Sequence, residues 1–458
     1  MAVNTQQNHI SLFYNQNNHK YPQCLSSLFR GGRLICDRPV LDSMPRGQFS
    51  KCLRTPAGVR DFARSCAKLW SPSFLVDNMA ERVQVKQSDA SKAFMYNEGN
   101  IAHLLPDDMG LRGETSLVDV SPTEMVKLME GQDVSSGPWH YYTSPLQDMG
   151  GDDSKRQTIL DAAKGWKDLI VDPNLSKMYG EQEFISAWVG GPGTTTKAHY
   201  DVLDNMFCQV YGRKTFRLWG PDHVSLLKVF PDLHPRARKS QFKELFQGND
   251  TDDDMAFLDV ELGPGDSLYI PAFVFHQVEV VEGVSISLNV FSPCNAQLCG
   301  SKMLSIFPNL KNVSVPEAEA MDEASANFAK AVSHVLPCFG LPENSEDARL
   351  FVLDHLLNAR YRPLYGTRAG TGATNPSNAS KTLRLLQVDH FVRSELSRAW
   401  EDMGRCFKAD ESPYADIENS VEGIRTIILA HLLESWCLTL VGDPKKVHEC
   451  LERSLADF

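Results

Sequence analysis

The chain has 458 residues, of which 42% are hydrophobic and 23% charged, the balance of an ordinary globular protein. This length exceeds what one hydrophobic core usually organises, so more than one structural unit is expected. The net charge of −12 argues against a general nucleic-acid binder, which is more often basic. No uninterrupted apolar run of roughly 18 residues occurs, so no membrane association is expected.

The N-terminus is rich in Asn and Gln and has no arginine, so residues 1–20 are predicted to be a disordered tail. The basic, acid-poor balance of the first 60 residues makes an organelle transit peptide the alternative. The eleven cysteines contain no C-x-x-C pair, which excludes a recognisable zinc module and indicates free thiols in a reducing compartment. We therefore expect a cytoplasmic or nuclear location.

Residues 21–130 are predicted to form a flanking N-terminal segment of mixed α/β elements. Its clearest helix is "SPTEMVKLMEG", in which Ser121 and Glu124 have the spacing of a capping box and Gly131 supplies a stop.

Residues 131–310 are predicted to form a central domain whose core spans 183–293. In that core, extended runs of four to eight residues are rich in β-branched and aromatic side chains and end at Gly, Pro or Asp. This pattern is typical of an antiparallel sandwich or barrel.

Residues 311–458 show apolar spacing of three and four residues and are predicted to be a C-terminal helical region. The segment 424–440 is more apolar than one packed face needs, so we expect a homodimer through the C-terminal helices. Burial of this helix within its own chain is the alternative.

The segment "AHYDV" holds His199 and Asp201 two positions apart, which places both side chains on one face of a strand. A further histidine, His276, lies in the apolar run "YIPAFVFHQVEV". Two histidines and one carboxylate are the facial triad of non-haem Fe(II) oxygenases. Taken singly, H-x-D is a weak signal and His276 has the alternative of being an ordinary core histidine, but the β context strengthens the set.

In "GRKTFRLWG" the alternation places Lys214 in phase with Phe216 and Leu218 rather than with the charged Arg213 and Arg217. A buried ammonium without a counter-charge is costly, so an anionic small molecule is expected to meet it. The alternative is a lysine at the start of its strand that snorkels to water.

Two neighbouring strands also carry polar phases. Asn205 shares a face with Gln209, and Asn289 shares a face with Ser285 and Ser287. These phases predict a polar barrel interior, with the solvent face of an edge strand as the alternative.

Together these motifs resemble the JmjC-domain, cupin-8-like Fe(II)/2-oxoglutarate oxygenases, in the branch of the small asparaginyl and wybutosine-type tRNA hydroxylases. The resemblance covers residues about 130 to 310 through "GPGTTTKAHYDVLDNMFCQVYGRKTF" and "LGPGDSLYIPAFVFHQVEV". It implies a mainly β fold, a double-stranded β-helix or jelly-roll cupin barrel, in a JmjC-like catalytic domain. Lys197 and Phe291 depart from the family's common Pro and Trp.

The resemblance also implies ligands. Fe(II) would be bound by His199, Asp201 and His276, with 2-oxoglutarate as co-substrate and O₂ as oxidant. The co-substrate would contact Lys214, Thr196, Asn205, Asn289 and a tyrosine of "WHYYTSPL", for which we choose Tyr142 over Tyr141.

The implied activity is a dioxygenase that hydroxylates a macromolecule and gives succinate and CO₂. We favour a protein or peptide substrate over tRNA, because Arg236, Arg238 and Lys239 are interpreted as a solvated loop and the acidic run 249–254 would repel RNA. Protein lysine demethylation and a non-catalytic cupin-like binding module are the further alternatives.

Overall fold

The computed structural model describes residues 35–36, 57–59, 64–89, 91–94, 115–170, 185–234, 236–242, 258–292, 295–305, 321–366, 390–408 and 420–458. The predicted tail 1–20 and the acidic run 249–254 lie outside these residues.

The N-terminal part combines short strands with short helices, as the mixed sequence pattern indicates. Its strands are β1 (Ile35–Cys36), β2 (Ala57–Val59), β3 (Val83–Ser88), β4 (Ala93–Phe94) and β5 (Ser116–Val120). Its helices are α1 (Arg64–Ala67), α2 (Pro72–Asn78) and α3 (Pro122–Glu130). The capping box that begins α3 is confirmed: Ser121 Oγ accepts from the Glu124 amide, and the Glu124 carboxylate accepts from the Ser121 amide.

The central part begins with β6 (Trp139–Pro145), α4 (Leu146–Met149) and α5 (Asp153–Ile170), and then continues as strands. The strands are β7 (Ile185–Gly190), β8 (Thr195–Tyr200), β9 (Asp204–Trp219), β10 (Leu258–Leu262), β11 (Ser267–Ile270) and β12 (Phe275–Ser292). They alternate buried and exposed residues or are buried throughout, as a curled sheet covered by helices requires.

One mixed sheet contains all these strands in the order β1-β2-β11-β9-β12-β7-β6-β3-β5, with β10, β8 and β4 joined to its sides. The long strands β9 and β12 pair antiparallel over most of their length and curl the sheet into a half-barrel. Bulges in their register between Val280 and Ser287 sharpen that curl. The predicted β core with flanking helices is therefore confirmed.

The C-terminal part is helical, as predicted. It contains α6 (Asn295–Ser305), α7 (Met321–Val335), α8 (Ser345–Phe351), a π-helix (Val352–Tyr361), α9 (Arg362–Tyr365), α10 (His390–Lys408), α11 (Ser420–Val441) and α12 (Pro444–Ser454).

The largest hydrophobic cluster joins these helices to the sheet. Tyr200, Trp219, Phe273 and Phe275 of the sheet region pack in the same cluster as the apolar residues of α7, α11 and α12. A second cluster joins the sheet to the N-terminal helices. Strand β8 and its neighbour β12 therefore pack directly against the C-terminal helical region.

Helix α11 is the apolar segment for which dimerisation is expected. By length and composition it is apolar enough to cross a bilayer, but 78% of its most apolar window is buried inside the protein. Packing against α7, α12 and the 3-10 turn Pro221–Val224 accounts for its apolar character. The homodimer stays a prediction, but the apolar character of α11 is no longer a reason for it.

Candidate metal centre

The two histidines are brought together by strand pairing. His199 on β8 and His276 on β12 are directly opposite each other in an antiparallel pair, and their ring centroids are 4.2 Å apart. Directly opposed residues in such a pair present their side chains on the same face. Strand pairing thus places two histidines that are 77 residues apart in the sequence next to each other.

Asp201 follows the last residue of β8 and completes the group. Its carbonyl accepts a 2.7 Å hydrogen bond from the amide of Phe273, which ties the end of β8 to the turn before β12. One potential ligand atom from each of His199, Asp201 and His276 lies within 4.8 Å of the other two. Two imidazoles and a carboxylate are the donor set of a facial triad, so these residues fit a divalent iron-type metal.

Backbone carbonyls orient both imidazole rings. His199 Nδ1 lies 2.8 Å from the carbonyl oxygen of Lys197, and His276 Nδ1 lies 3.2 Å from that of Val274. In each ring Nδ1 is assigned as the donor, which leaves Nε2 with its lone pair. His276 Nε2 lies 3.7 Å from Asp201 Oδ2, so the free nitrogen faces the carboxylate. This is how ligating histidines are usually held.

The protonation states of His199 and Asp201 suit the binding of a cation. Burial, followed by the neighbouring His276, lowers the pKa of His199, so its ring is neutral at physiological pH. Burial opposes ionisation of Asp201, but the two histidines, Arg238 and Lys239 outweigh it and lower the pKa of that carboxyl. A neutral imidazole and an ionised carboxylate are the forms that bind metal.

Lys214 lines the same cavity as His199, Asp201 and His276. Its predicted position on the core side of the strand is confirmed. The side chain is 2% exposed, and Nζ donates a 2.8 Å hydrogen bond to Ser287 Oγ. The ammonium also lies 5.4 Å from the ring centre of Phe207 and 6.0 Å from that of Tyr141. Snorkelling to water is therefore wrong for this lysine.

Lys214 makes no ion pair with any acid that the structure describes. Burial lowers its pKa from 10.5 to about 7. A buried cation in a cavity that also holds the triad fits the distal carboxylate of a small dicarboxylic acid.

The polar phases of β9 and β12 form one wall of the interior. Asn289 Nδ2 donates to Asn205 Oδ1 at 2.8 Å, and Gln209 Nε2 donates to Ser285 Oγ at 2.8 Å. Each of these four side chains is at most 4% exposed, and β12 is a central strand. The alternative of a solvent-facing edge strand is therefore wrong.

The cavity has a volume of about 230 Å³, which suits a small ligand rather than one of drug size, for which roughly 300 Å³ is the lower bound. It brings together the triad with Lys214, Thr196, Asn205 and Asn289.

The choice of Tyr142 is corrected by the structure. Tyr141 lines the cavity, whereas Tyr142 packs into the cluster between the sheet and the N-terminal helices. Pairing of β6 with β7 and β3 fixes this phase, since Tyr141 is opposite Gly190 and Lys86. A one-residue difference in a strand moves a side chain to the other face.

Sequence reasoning missed one part of the site. Arg238 and Lys239 line the cavity. Arg236 and Lys239 are only 8% and 6% exposed, so the interpretation of a solvated loop is wrong for these two, while Arg238 is half-buried at the cavity. Burial, and after it the charge of Lys239, lowers the pKa of Lys86 on β3 to about 8. Arg238 has a φ of 69°, an uncommon conformation for a non-glycine residue that could not be read from the sequence.

Comparison with known proteins gives several matches. A sequence model of the cupin-like domain matches residues 53–293, a range that contains the triad and Lys214. The tRNA wybutosine-synthesizing protein 5 of Gallus gallus is 31% identical over 267 residues, covering 55% of this chain and 76% of that protein. Its namesake from Danio rerio is 24% identical over 266 residues, covering 55% and 70%. JmjC domain-containing protein D of Dictyostelium discoideum is 30% identical over 119 residues, covering 23% and 24%.

Proposed function

The chain belongs to the cupin-like domain family and is of the JmjC type, and from this premise we propose that it is an Fe(II)- and 2-oxoglutarate-dependent dioxygenase. One observation carries the proposal: a two-histidine, one-carboxylate triad and a buried lysine share one small cavity. The triad alone would suit many divalent metals. The lysine adds the requirement for an anionic co-substrate.

In this proposal His199, Asp201 and His276 would hold Fe(II) through their two imidazoles and carboxylate. The carbonyls of Lys197 and Val274 keep each ring in the tautomer that leaves Nε2 free. When bound, Fe(II) and 2-oxoglutarate supply the oxidant that adds one oxygen atom of O₂ to the substrate, with succinate and CO₂ as the other products.

Lys214 would bind the distal carboxylate of 2-oxoglutarate, with Ser287 keeping the ammonium in place. Thr196, Asn205 and Asn289 would line the co-substrate, and Tyr141 would replace Tyr142 in that role. Asn289 Oδ1 is buried and has no hydrogen-bond partner among the described residues. Phe207 and Phe216 exclude water from this end of the cavity.

For the macromolecular substrate, tRNA now has the better support. The relatives from Gallus gallus and Danio rerio are named for wybutosine synthesis in tRNA. Arg238 and Lys239 face the metal cavity, with Lys86 close by, and such cations suit a phosphate backbone. This observation removes one of the two reasons for which the sequence favoured a peptide; the other, the acidic run 249–254, lies outside the described residues.

A protein side chain is the second candidate. The net charge of −12 is unusual for an RNA-binding enzyme. The relative from Dictyostelium discoideum is named only for its JmjC domain, so it favours neither substrate. A non-catalytic module has less support, because all three triad residues and Lys214 are present.

The test is incubation of the purified protein with Fe(II), ascorbate, 2-oxoglutarate and either total tRNA or a peptide library. We expect a nucleoside that gains the mass of one oxygen atom, and no such gain with Asp201→Ala. Oxidised peptide with unchanged tRNA would move the proposal to the second candidate. Loss of a methyl group from lysine would indicate a demethylase.

A further inference from the structure

A short segment of the chain covers the metal site. Residues 228–234 and 236–242, which we name the covering segment, lie against β8. The amide of Ser240 donates to the carbonyl of Ala198 at 2.8 Å, and the amide of Tyr200 donates to that of Arg238 at 3.3 Å. Lys239 is therefore bridged to His199. The backbone that carries a metal-ligand candidate and the backbone that carries the cavity cations are hydrogen-bonded to each other.

The covering segment has no regular strand or helix to hold its shape. It folds back on itself, since the amide of Phe230 donates to the carbonyl of Lys239 at 2.9 Å. The amide of Gln241 donates to the carbonyl of Lys228 at 2.9 Å. Asp232 lies in the bend between these two arms. A short irregular hairpin of this kind is marginally stable by itself.

A buried charge cluster from the C-terminal helices holds that bend. Arg360 Nη1 donates to Asp232 Oδ2 at 2.6 Å and to Glu434 Oε1 at 3.0 Å. The second oxygen of Glu434 accepts a 2.6 Å bond from the backbone amide of Asp232. The three side chains are 1%, 4% and 0% exposed, respectively, for Arg360, Asp232 and Glu434.

The arm of the covering segment that carries Gln241 is also held by Arg360, here through its backbone. Gln241 Nε2 donates to the backbone carbonyl of Arg360 at 2.7 Å and to that of Val229 at 2.8 Å. Arg360 belongs to the π-helix Val352–Tyr361, and π-helical turns occur frequently at functional sites. The bend is thus tied to the side chains of Arg360 and Glu434, and the arm that carries Gln241 is tied to the backbone of Arg360.

Burying these charged side chains carries a desolvation penalty that a hydrophobic contact of the same size would not have. Burial raises the pKa of Glu434, and the hydrogen bonds from Arg360 and the Asp232 amide act against this preference of the interior for the neutral carboxyl. Buried charge clusters of this kind are often replaceable by apolar residues without loss of stability. Unlike an apolar contact, such a cluster fixes the geometry of the groups it bonds, here the bend of the covering segment.

We propose that Arg360, with Asp232 and Glu434, is a positioning residue that fixes the covering segment, so that Arg238 and Lys239 face the metal cavity where substrate enters. The link to substrate depends on the proposed function, whereas the link between Arg360 and the covering segment does not. The helical region outside the matched range 53–293 would in this way shape substrate binding.

The test uses the full-length variant Arg360→Met with Glu434→Gln, which removes the guanidinium and one carboxyl group of the cluster. Hydrogen exchange is measured at the amides of Tyr200, Phe230 and Ser240. Losing a hydrogen bond between charged groups should speed this exchange roughly ten- to hundredfold. Trypsin should also cleave after Arg238 or Lys239 earlier than in the wild type.

The matched control is Arg362→Met with Glu452→Gln, which breaks the two 2.8 Å bonds of a neighbouring pair. The covering segment should keep wild-type exchange in this control. Arg360→Lys should be intermediate, because an ammonium is compact and holds the two acids in a different geometry.

Affinity and turnover separate positioning from general stability. The Kd values of Mn(II) and 2-oxoglutarate should equal those of the wild type, while KM for total tRNA rises and succinate formation without tRNA is unchanged. Wild-type exchange in the covering segment, or equal loosening of α11 and the sheet, would overturn the inference. So would an unchanged KM with a loosened segment. Wild-type protein that binds neither Mn(II) nor 2-oxoglutarate would refute the proposed function while the exchange result still decides this one.

Discussion

Replacing Lys214 by methionine keeps most of the side-chain volume and removes the ammonium that lies 2.8 Å from Ser287 Oγ. A hydrogen bond to a charged group contributes about 1.5–3 kcal/mol, which converts to a loss of 2-oxoglutarate affinity of about ten- to over a hundredfold. Metal affinity should be unchanged, because Lys214 is not among the three residues that could ligate the ion. Lys214→Arg should rescue poorly, since its planar fork is larger than the point charge.

The same substitution should stabilise the protein when 2-oxoglutarate is absent. Burial lowers the pKa of Lys214 from 10.5 to about 7, so the unfolded chain binds a proton that the folded protein binds reluctantly. The cost is fully present below pH 7 and disappears as the pH rises toward 10.5. At pH 6 to 7 Lys214→Met should therefore raise the free energy of unfolding by on the order of a few kcal/mol.

Isothermal titration with Mn(II) in place of iron, without oxygen, measures the affinity, and urea unfolding measures the stability. Arg213→Met is the matched control, because this neighbouring side chain is 55% exposed and pairs with Glu261 at the surface. The control should change neither quantity appreciably. Lys214→Met that binds 2-oxoglutarate like the wild type, or that unfolds more easily at pH 6, would refute the role given to this lysine.

The remaining predictions concern pH, the metal and the backbone. Binding of 2-oxoglutarate should take up a proton above pH 7 and weaken by up to about tenfold per pH unit, because Lys214 must be protonated to meet the carboxylate; titration in buffers of different ionisation enthalpy measures this, and affinity that does not vary with pH contradicts it. Asp201→Ala and His276→Ala should each abolish stoichiometric Mn(II) binding, whereas Gln277→Ala should not; metal titration in which all three bind equally would remove the triad. Gly212→Ala should destabilise the protein by more than about 1 kcal/mol, since Gly212 has a φ of 70° and a Cβ there would collide with the carbonyl oxygen of Val284; unfolding at the wild-type urea concentration would contradict this.

The sequence predicts those parts of the site that depend on alternation within one strand. His199 and Asp201 share a face, Lys214 follows the core phase and Asn289 follows the polar phase, and the structure has all four at one cavity. The period of two is a local property of an extended chain, so it needs no knowledge of neighbouring strands. The β core itself is predicted for the same reason.

Features that depend on register or on irregular backbone are not predictable in this way. The choice between Tyr141 and Tyr142 depends on how β6 pairs with β7, and the two residues are equal candidates by composition. Arg238 and Lys239 reach the site through backbone pairing with β8 in a segment without regular structure. The buried charge cluster that holds this segment does leave one sign in the sequence, the acidic residue Glu434 within the apolar run of α11. A buried acid of this kind implies a partner, here Arg360.

Formation of succinate from 2-oxoglutarate by the purified protein in air tests the central claim most directly. The proposed function predicts succinate that requires added Fe(II), increases when the substrate is supplied, and is lost with Asp201→Ala. Equal succinate formation by the wild type and Asp201→Ala, or none by the wild type with either tRNA or peptide, would contradict it.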